Sequence, residues 1–303
     1  MSDSKKKKRR GNGLGFLIFD LYLLLGIRHA YALLYFVALH YLIFDRKAVA
    51  VSDEYIRLRF KKSKRFERLK HIYRLFINAG KNLIDLRQLE RDFNKVHIDC
   101  DTRRIREVVR GGNGLLLLTA HVGNWQVMMR NLPDLGAKIN IVMLPEENPA
   151  VREYLQIDRN ETDSGGDING LIPRSEINII DPSRGADAVL EIVQELASGN
   201  IVSIMGDRIP PSSQTLRVDF LGESITLPEG PFRIAAVSKS PVLFLLTRRN
   251  GPCNYTMEIN DITIPRRIKK KKEKIHHLGE KYAETLESFL ESSPYEWSPA
   301  GNL

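Results

Sequence analysis

Residues 115 to 126 read Leu115-Leu-Leu-Leu-Thr119-Ala120-His121-Val122-Gly123-Asn124-Trp125-Gln126. Four consecutive leucines follow the turn residues Gly111-Gly112-Asn113-Gly114, with no polar alternation between them. That is the pattern of a strand covered on both faces, and such strands belong to parallel sheets whose crossover helices lie on either side. The chain downstream keeps the same rhythm. Apolar runs at 138–143, 177–180, 201–205, 242–247 and 255–264 alternate with helical spacing at about 124–131, 149–158, 185–197 and 230–238. The expected fold class is therefore α/β, a mostly parallel central sheet flanked by helices, with ligands binding beyond the carboxyl ends of the strands.

Upstream of this stretch the pattern is helical. Residues 52–92 are rich in Arg, Lys and Leu, and Ile72, Leu75, Phe76, Ala79, Leu83 and Leu86 recur at helical spacing, so one or two helices packing on the main domain are expected. Residues 101–110 read as a short helix stopped by Gly111-Gly112. Before them, apolar stretches at 14–25 and 30–44 are separated by Gly26, Arg28 and His29, and Asp20 interrupts the first. A spanning helix needs about 20 nearly uninterrupted apolar residues, so neither stretch spans comfortably. Two amphipathic helices in the headgroup region, or one helix dipping into the bilayer, fit better, with the Lys5–Arg10 run holding them to anionic lipid. A cleaved leader ending at Ala30-Tyr31-Ala32 and a helical hairpin buried in a soluble core are the competing readings. The organisation expected is a basic N-terminus with hydrophobic, membrane-anchoring helices over 1–50, a helical segment over 51–110 and an α/β domain over 111–303.

Charge narrows the partners. The 303 residues carry a net +9, and residues 1–10 contribute +5 and residues 265–274 contribute +6, leaving −2 for the rest. A nucleic-acid surface would spread its positive charge along a groove of the folded body, so nucleic acid is not an expected partner. Two patches of this kind suit an anionic membrane surface instead. Apolar content of 43% excludes disorder, and two distant cysteines, Cys100 and Cys253, suggest thiols in a reducing compartment.

The chemistry is narrowed mainly by exclusion. No Walker loop, G-x-S-x-G elbow, Cys pair or H-E-x-x-H zinc motif occurs, and no metal ligand set is expected. What stands out is His121, placed directly after the buried strand at the edge where ligands bind. Its segment resembles the His-x4-acid motif of the lysophospholipid and lipid A acyltransferase superfamily, and the wording His-x-Gly-Asn-Trp resembles the lipid A branch, the lauroyl and myristoyl transferases of Gram-negative bacteria. Ile201-Val-Ser-Ile-Met-Gly206-Asp207-Arg208, Val218-Asp-Phe220-Leu-Gly222, Leu227-Pro-Glu229-Gly230-Pro231 and Pro294-Tyr-Glu-Trp297 are similar to further segments of that branch, in the same order.

The resemblance implies an acyltransferase at the cytoplasmic face of a bacterial inner membrane. It would move a fatty acyl chain from acyl carrier protein or coenzyme A, as co-substrate, to a hydroxyl or amine of a lipid acceptor, with no other cofactor. His121 becomes the general base, with Gln126 and Asp207 as its catalytic neighbours. Asn124, Trp125, Arg208, Phe220, Gly222, Glu229 and Gly230 become substrate-binding candidates. Gln126 departs from the pattern, which has Asp or Glu five residues after the histidine. Asp207 or Glu229 then supplies the missing charge, or the enzyme is slow, or the protein is a catalytically silent lipid-binding or scaffold protein.

Overall fold

The computed structural model describes residues 22–92, 95–125, 127, 135–144, 177–210 and 213–298. Its centre is a seven-stranded sheet. The strands in chain order are β1 (His97–Cys100), β2 (Leu115–Thr119), β3 (Ile139–Val142), β4 (Ile177–Ile180), β5 (Ile201–Met205), β8 (Val242–Gly251) and β9 (Asn254–Ile262), laid side by side as β1-β9-β8-β2-β5-β3-β4. Every neighbouring pair is parallel except β8 with β9, which form an antiparallel hairpin. A separate hairpin joins β6 (Thr215–Phe220) to β7 (Glu223–Pro228).

The leucine run behaves as its pattern requires. Leu116 and Leu118 pack into the cluster on one face of the sheet and Leu115 and Leu117 into the cluster on the other. All four are fully buried, which removes the apolar surface of each from water at roughly 1.5–3 kcal/mol per side chain. Helices cover the faces: α4 (Arg103–Arg110), α5 (Ala186–Ala197), α6 (Glu229–Val237) and the long C-terminal α7 (Lys271–Ser292). Gly111 and Gly112 follow α4 as expected, and the basic run at 266–274 occupies the loop before α7 and its exposed first turn.

Before the sheet lie α1 (Ile27–Phe44), α2 (Arg46–Arg59) and α3 (Arg65–Arg91). The boundary of α1 differs from the sequence expectation. Arg28 and His29 do not separate two apolar pieces; both lie exposed inside α1, and the break falls at Gly26, whose φ of 115° suits glycine. The charged head of Arg28 stays outside the packed face, so a helix can run through it. Ala30, Tyr31, Leu34 and Ala38 pack on Ile77 and Ile84 of α3. The opposite face carries Tyr35, Leu39, Tyr41, Ile43, Phe36 and Phe44, the last two 74% and 70% exposed. Among the described residues, 22% of the helix is buried.

Where α1 meets the body, a fully buried carboxylate joins four elements. Asp85 on α3 accepts hydrogen bonds from Tyr31 of α1, from Arg249 Nε of β8 at 3.0 Å and from Tyr255 Oη of β9 at 2.6 Å. The Cys253 backbone N–H adds a fourth at 3.2 Å, and Arg249 Nη2 also donates to Tyr31 Oη at 2.6 Å. Burial alone would lower the Arg249 pKa, but the Asp85 charge outweighs it and holds the guanidinium firmly protonated.

Candidate active site

The sheet register brings two distant residues together. β2 and β5 are parallel neighbours with Thr119 opposite Met205, so the residues two positions beyond each strand, His121 and Asp207, emerge side by side at the carboxyl edge. The Gly206 N–H donates to Thr119 O at 3.0 Å and Tyr282 Oη of α7 donates to the same oxygen at 2.9 Å, tying the two strand ends to the body. A Cβ on Gly206 would stand 2.9 Å from the Tyr282 ring, so this position needs glycine for the strand end to lie against α7.

His121 is held by both its backbone and its ring. Its N–H donates to Asp207 Oδ2 at 2.8 Å, and Nδ1 lies 2.8 Å from Asp207 Oδ1. A third donor, Trp297 Nε1, reaches Asp207 Oδ2 at 3.0 Å. Asp207 is 2% exposed at its side chain against 17% for His121. Burial pushes the Asp207 carboxyl up, but the neighbouring imidazole and the three donors outweigh it and leave its pKa below the ordinary value. An ionised Asp207 accepts at Oδ1, so the proton of a neutral imidazole sits on Nδ1, and Nε2 carries the free lone pair.

The loop after His121 has its own constraint. Gly123 has φ of 58°, and a Cβ there would lie 2.0 Å from the carbonyl oxygen of Thr247 on β8. Glycine is required twice over, by the left-handed backbone and by this approach. Its N–H donates to Glu296 O at 2.8 Å, and Ser298 N–H donates to His121 O at 2.9 Å, so the C-terminal segment pairs with the His121 loop as a short antiparallel ladder. Replacing Gly123 with Ala is expected to displace the loop, lower the melting temperature by several degrees and abolish turnover, as thermal unfolding and initial-rate assays on one preparation will show.

The other candidates fall in different places. Asn124 is buried: its amide donates to Asn82 O at 2.7 Å and to Tyr255 Oη at 3.3 Å, while its oxygen caps the Val127 N–H at 3.4 Å. Trp125 packs on the cluster behind the sheet. Phe220 is fully buried, edge-on to Trp297 at 5.4 Å. Gly222 forms the exposed β6–β7 turn, and Arg208 is exposed beside Asp207. Glu229 starts α6, where its carboxylate binds Arg233 at 2.6 Å, and the adjacent Gly230 is exposed. Gln126 lies outside the described residues, as does the helix expected at 149–158. Sequence reasoning gave no role to Trp297, and it missed Asp85, β1 and the β6–β7 hairpin. Trp297 had a signal in its resemblance to the family's tail, whereas nothing local marks Asp85.

An α/β sheet thus presents a carboxylate-held imidazole at its carboxyl edge. The sequence model of the bacterial lipid A biosynthesis acyltransferase family matches residues 84–298, and the chain belongs to that family and is an acyltransferase. A search of curated proteins found no match to this chain.

Proposed function

We propose that the protein transfers a fatty acyl chain from a thioester of acyl carrier protein or coenzyme A to a hydroxyl or amine of a lipid acceptor, with His121 as general base. The supporting observation is the fixed Nδ1 contact to buried Asp207, which leaves Nε2 basic at the strand edge. In the reaction Nε2 takes the proton of the acceptor hydroxyl as its oxygen attacks the thioester carbonyl carbon. Collapse of the tetrahedral intermediate breaks the carbon–sulfur bond, and the leaving thiolate takes the proton back from the imidazolium. The step balances with donor and acceptor alone. Asp207 stabilises the imidazolium, which answers the missing acid at position 126, and Arg208 or amides of the loop after Gly123 stabilise the oxyanion. Gly123 N–H itself is occupied by Glu296 O.

In the same reading, α1 lies at the cytoplasmic face of the inner membrane with its outer aromatic and aliphatic face in lipid, assisted by the basic runs. A double substitution Phe36→Glu with Phe44→Glu is expected to cut co-sedimentation with anionic vesicles at least tenfold, since each phenylalanine contributes about 1.5–3 kcal/mol of apolar burial. The catalytic reading is tested by incubating the protein with acyl carrier protein thioesters and a membrane lipid extract. His121→Ala is expected to release neither free thiol nor acylated lipid above background. Equal rates for wild type and variant would leave a lipid-binding protein with no role for this histidine.

A further inference from the structure

We infer that Trp297 is a positioning residue of the catalytic pair: its indole N–H fixes the rotation of the Asp207 carboxylate and, through it, the tautomer and orientation of His121. The inference rests on the reading of His121 as general base and adds the C-terminal segment to that site.

Three observations carry it. First, the three hydrogen bonds to Asp207 are unequally distributed. Among the described residues Oδ1 meets Nδ1 of His121 alone, while Oδ2 accepts from both the His121 N–H and Trp297 Nε1. A carboxylate has one torsion by which its two oxygens can exchange or tilt, and two donors converging on Oδ2 hold that torsion where Oδ1 meets the ring. Without the indole, a single backbone donor remains on Oδ2.

Second, Trp297 is itself held on all sides. Its ring packs edge-on against Tyr55 at 5.0 Å and Phe220 at 5.4 Å, and it is 4% exposed. An indole that buries its rings still needs a partner for its N–H, and here that partner is the carboxylate that contacts the imidazole.

Third, the segment carrying it is fastened to the same loop it helps to position. Glu296 O and Ser298 N–H, on either side of Trp297, pair with Gly123 N–H and His121 O. Tyr55 Oη donates to Pro294 O at 2.8 Å and Asn78 Nδ2 to Tyr295 O at 2.9 Å, fixing the segment to α2 and α3. Backbone hydrogen bonds on both sides of Trp297 thus tie the indole and the His121 loop to each other. Positioning residues of this kind need such rigidity, because small misplacements of a base reduce the rate strongly.

The test removes the donor without removing the ring. β-(3-Benzothienyl)alanine, which has sulfur in place of the indole N–H, is incorporated at position 297 alone by site-specific suppression in the full-length protein. Trp297→Phe is made in parallel. A hydrogen bond to a buried charged group is worth roughly 10- to 100-fold in the corresponding rate, so kcat is expected to fall by that factor for the analogue, with KM unchanged. The acid limb of the pH–rate profile is expected to move to higher pH, because a carboxylate that has lost a donor is more basic and its imidazole partner holds a proton more tightly. In an Asp207→Asn background the analogue is expected to add little further loss, since Trp297 acts through that carboxylate.

A purely structural role predicts something different: a lower melting temperature with kcat and pH limb as in wild type, and that result would overturn the inference. The isosteric analogue keeps the packing, so it separates the two roles even if Trp297→Phe does not fold. If His121→Ala and Asp207→Asn lower turnover and the analogue does not, the inference fails and the general-base reading stands. If neither of those two variants loses activity, both fail together.

Discussion

Asp207→Asn is expected to reduce kcat by about 10⁴-fold with little change in KM, the loss that follows when the acid of a catalytic His–Asp pair is replaced by its amide. The donor geometry makes the outcome specific. Two N–H groups, from His121 and Trp297, converge on Oδ2, so an asparagine must place its carbonyl oxygen there. Its NH2 group then faces Nδ1. A donor at that position requires Nδ1 to accept, which moves the imidazole proton to Nε2, where the base is needed. The tautomer is inverted and the charge that stabilised the imidazolium is lost at the same time. Single-turnover acyl transfer at saturating donor measures this directly, and a loss of less than tenfold would remove Asp207 from the mechanism.

The same carboxylate has a signature in stability. Its pKa is depressed in the folded protein, so its contribution is complete above the unfolded value near 3.9 and is lost as the pH falls through the lower folded value. The difference in melting temperature between wild type and Asp207→Asn is accordingly expected to narrow as the pH falls below about 4.

Asp85→Ala is expected to destabilise the protein by about 3–5 kcal/mol, the cost of leaving one member of a buried ion pair without the other. Asp85 is inaccessible to solvent and Arg249 is 9% exposed at its side chain. The variant leaves that guanidinium, Tyr31 and Tyr255 without their common acceptor. For a domain of this size the change is about 10 °C in melting temperature. Replacing both partners, Asp85→Leu with Arg249→Met, is expected to recover much of the loss, because the unpaired charge and not the absent attraction dominates it. Because Tyr255 Oη also receives Asn124 Nδ2, the loop after His121 loses support on the same side, and kcat is expected to fall with stability. Calorimetry that places Asp85→Ala within 1 kcal/mol of wild type would show that water or another donor already satisfies this node.

Much of the scaffold was legible in local pattern. The leucine run at 115–118 and the apolar run at 201–205 each follow from a pattern that one element can satisfy alone, and both are strands. On α3 the expected face holds only in part: Ile72, Leu75 and Leu86 are buried, but Ala79 and Leu83 are exposed, and Ile77 and Ile84 turn toward α1 instead. β1 escaped notice because it is a four-residue edge strand whose residues alternate between exposed and half-buried, too short for a period to register. The β6–β7 hairpin did carry a local signal, since Leu216, Val218 and Phe220 and then Ile225 and Leu227 alternate with polar residues, but its turn, Leu221-Gly222, is not one of the Asn-Gly or Asp-Gly signals of a tight hairpin. At the N-terminus a charge does not end a helix: Arg28 lies on the solvent side of α1, and the backbone break is at Gly26.

At the site the division is clearer. Local sequence determined that His121 would stand at the end of a strand buried on both faces, because that depends on the pattern of a few neighbouring residues. The partner of the imidazole depended on which strand lies beside β2. His121 and Asp207 are 86 residues apart, and Trp297 is 90 residues beyond Asp207. Motif resemblance named Asp207 as one of two carboxylates able to serve, with no means of choosing between it and Glu229. Parallel pairing of Thr119 with Met205 made the choice, and the C-terminal ladder supplied the third donor. Periodicity records which face of an element is buried, whereas register and neighbour order are set by the packing of the whole sheet.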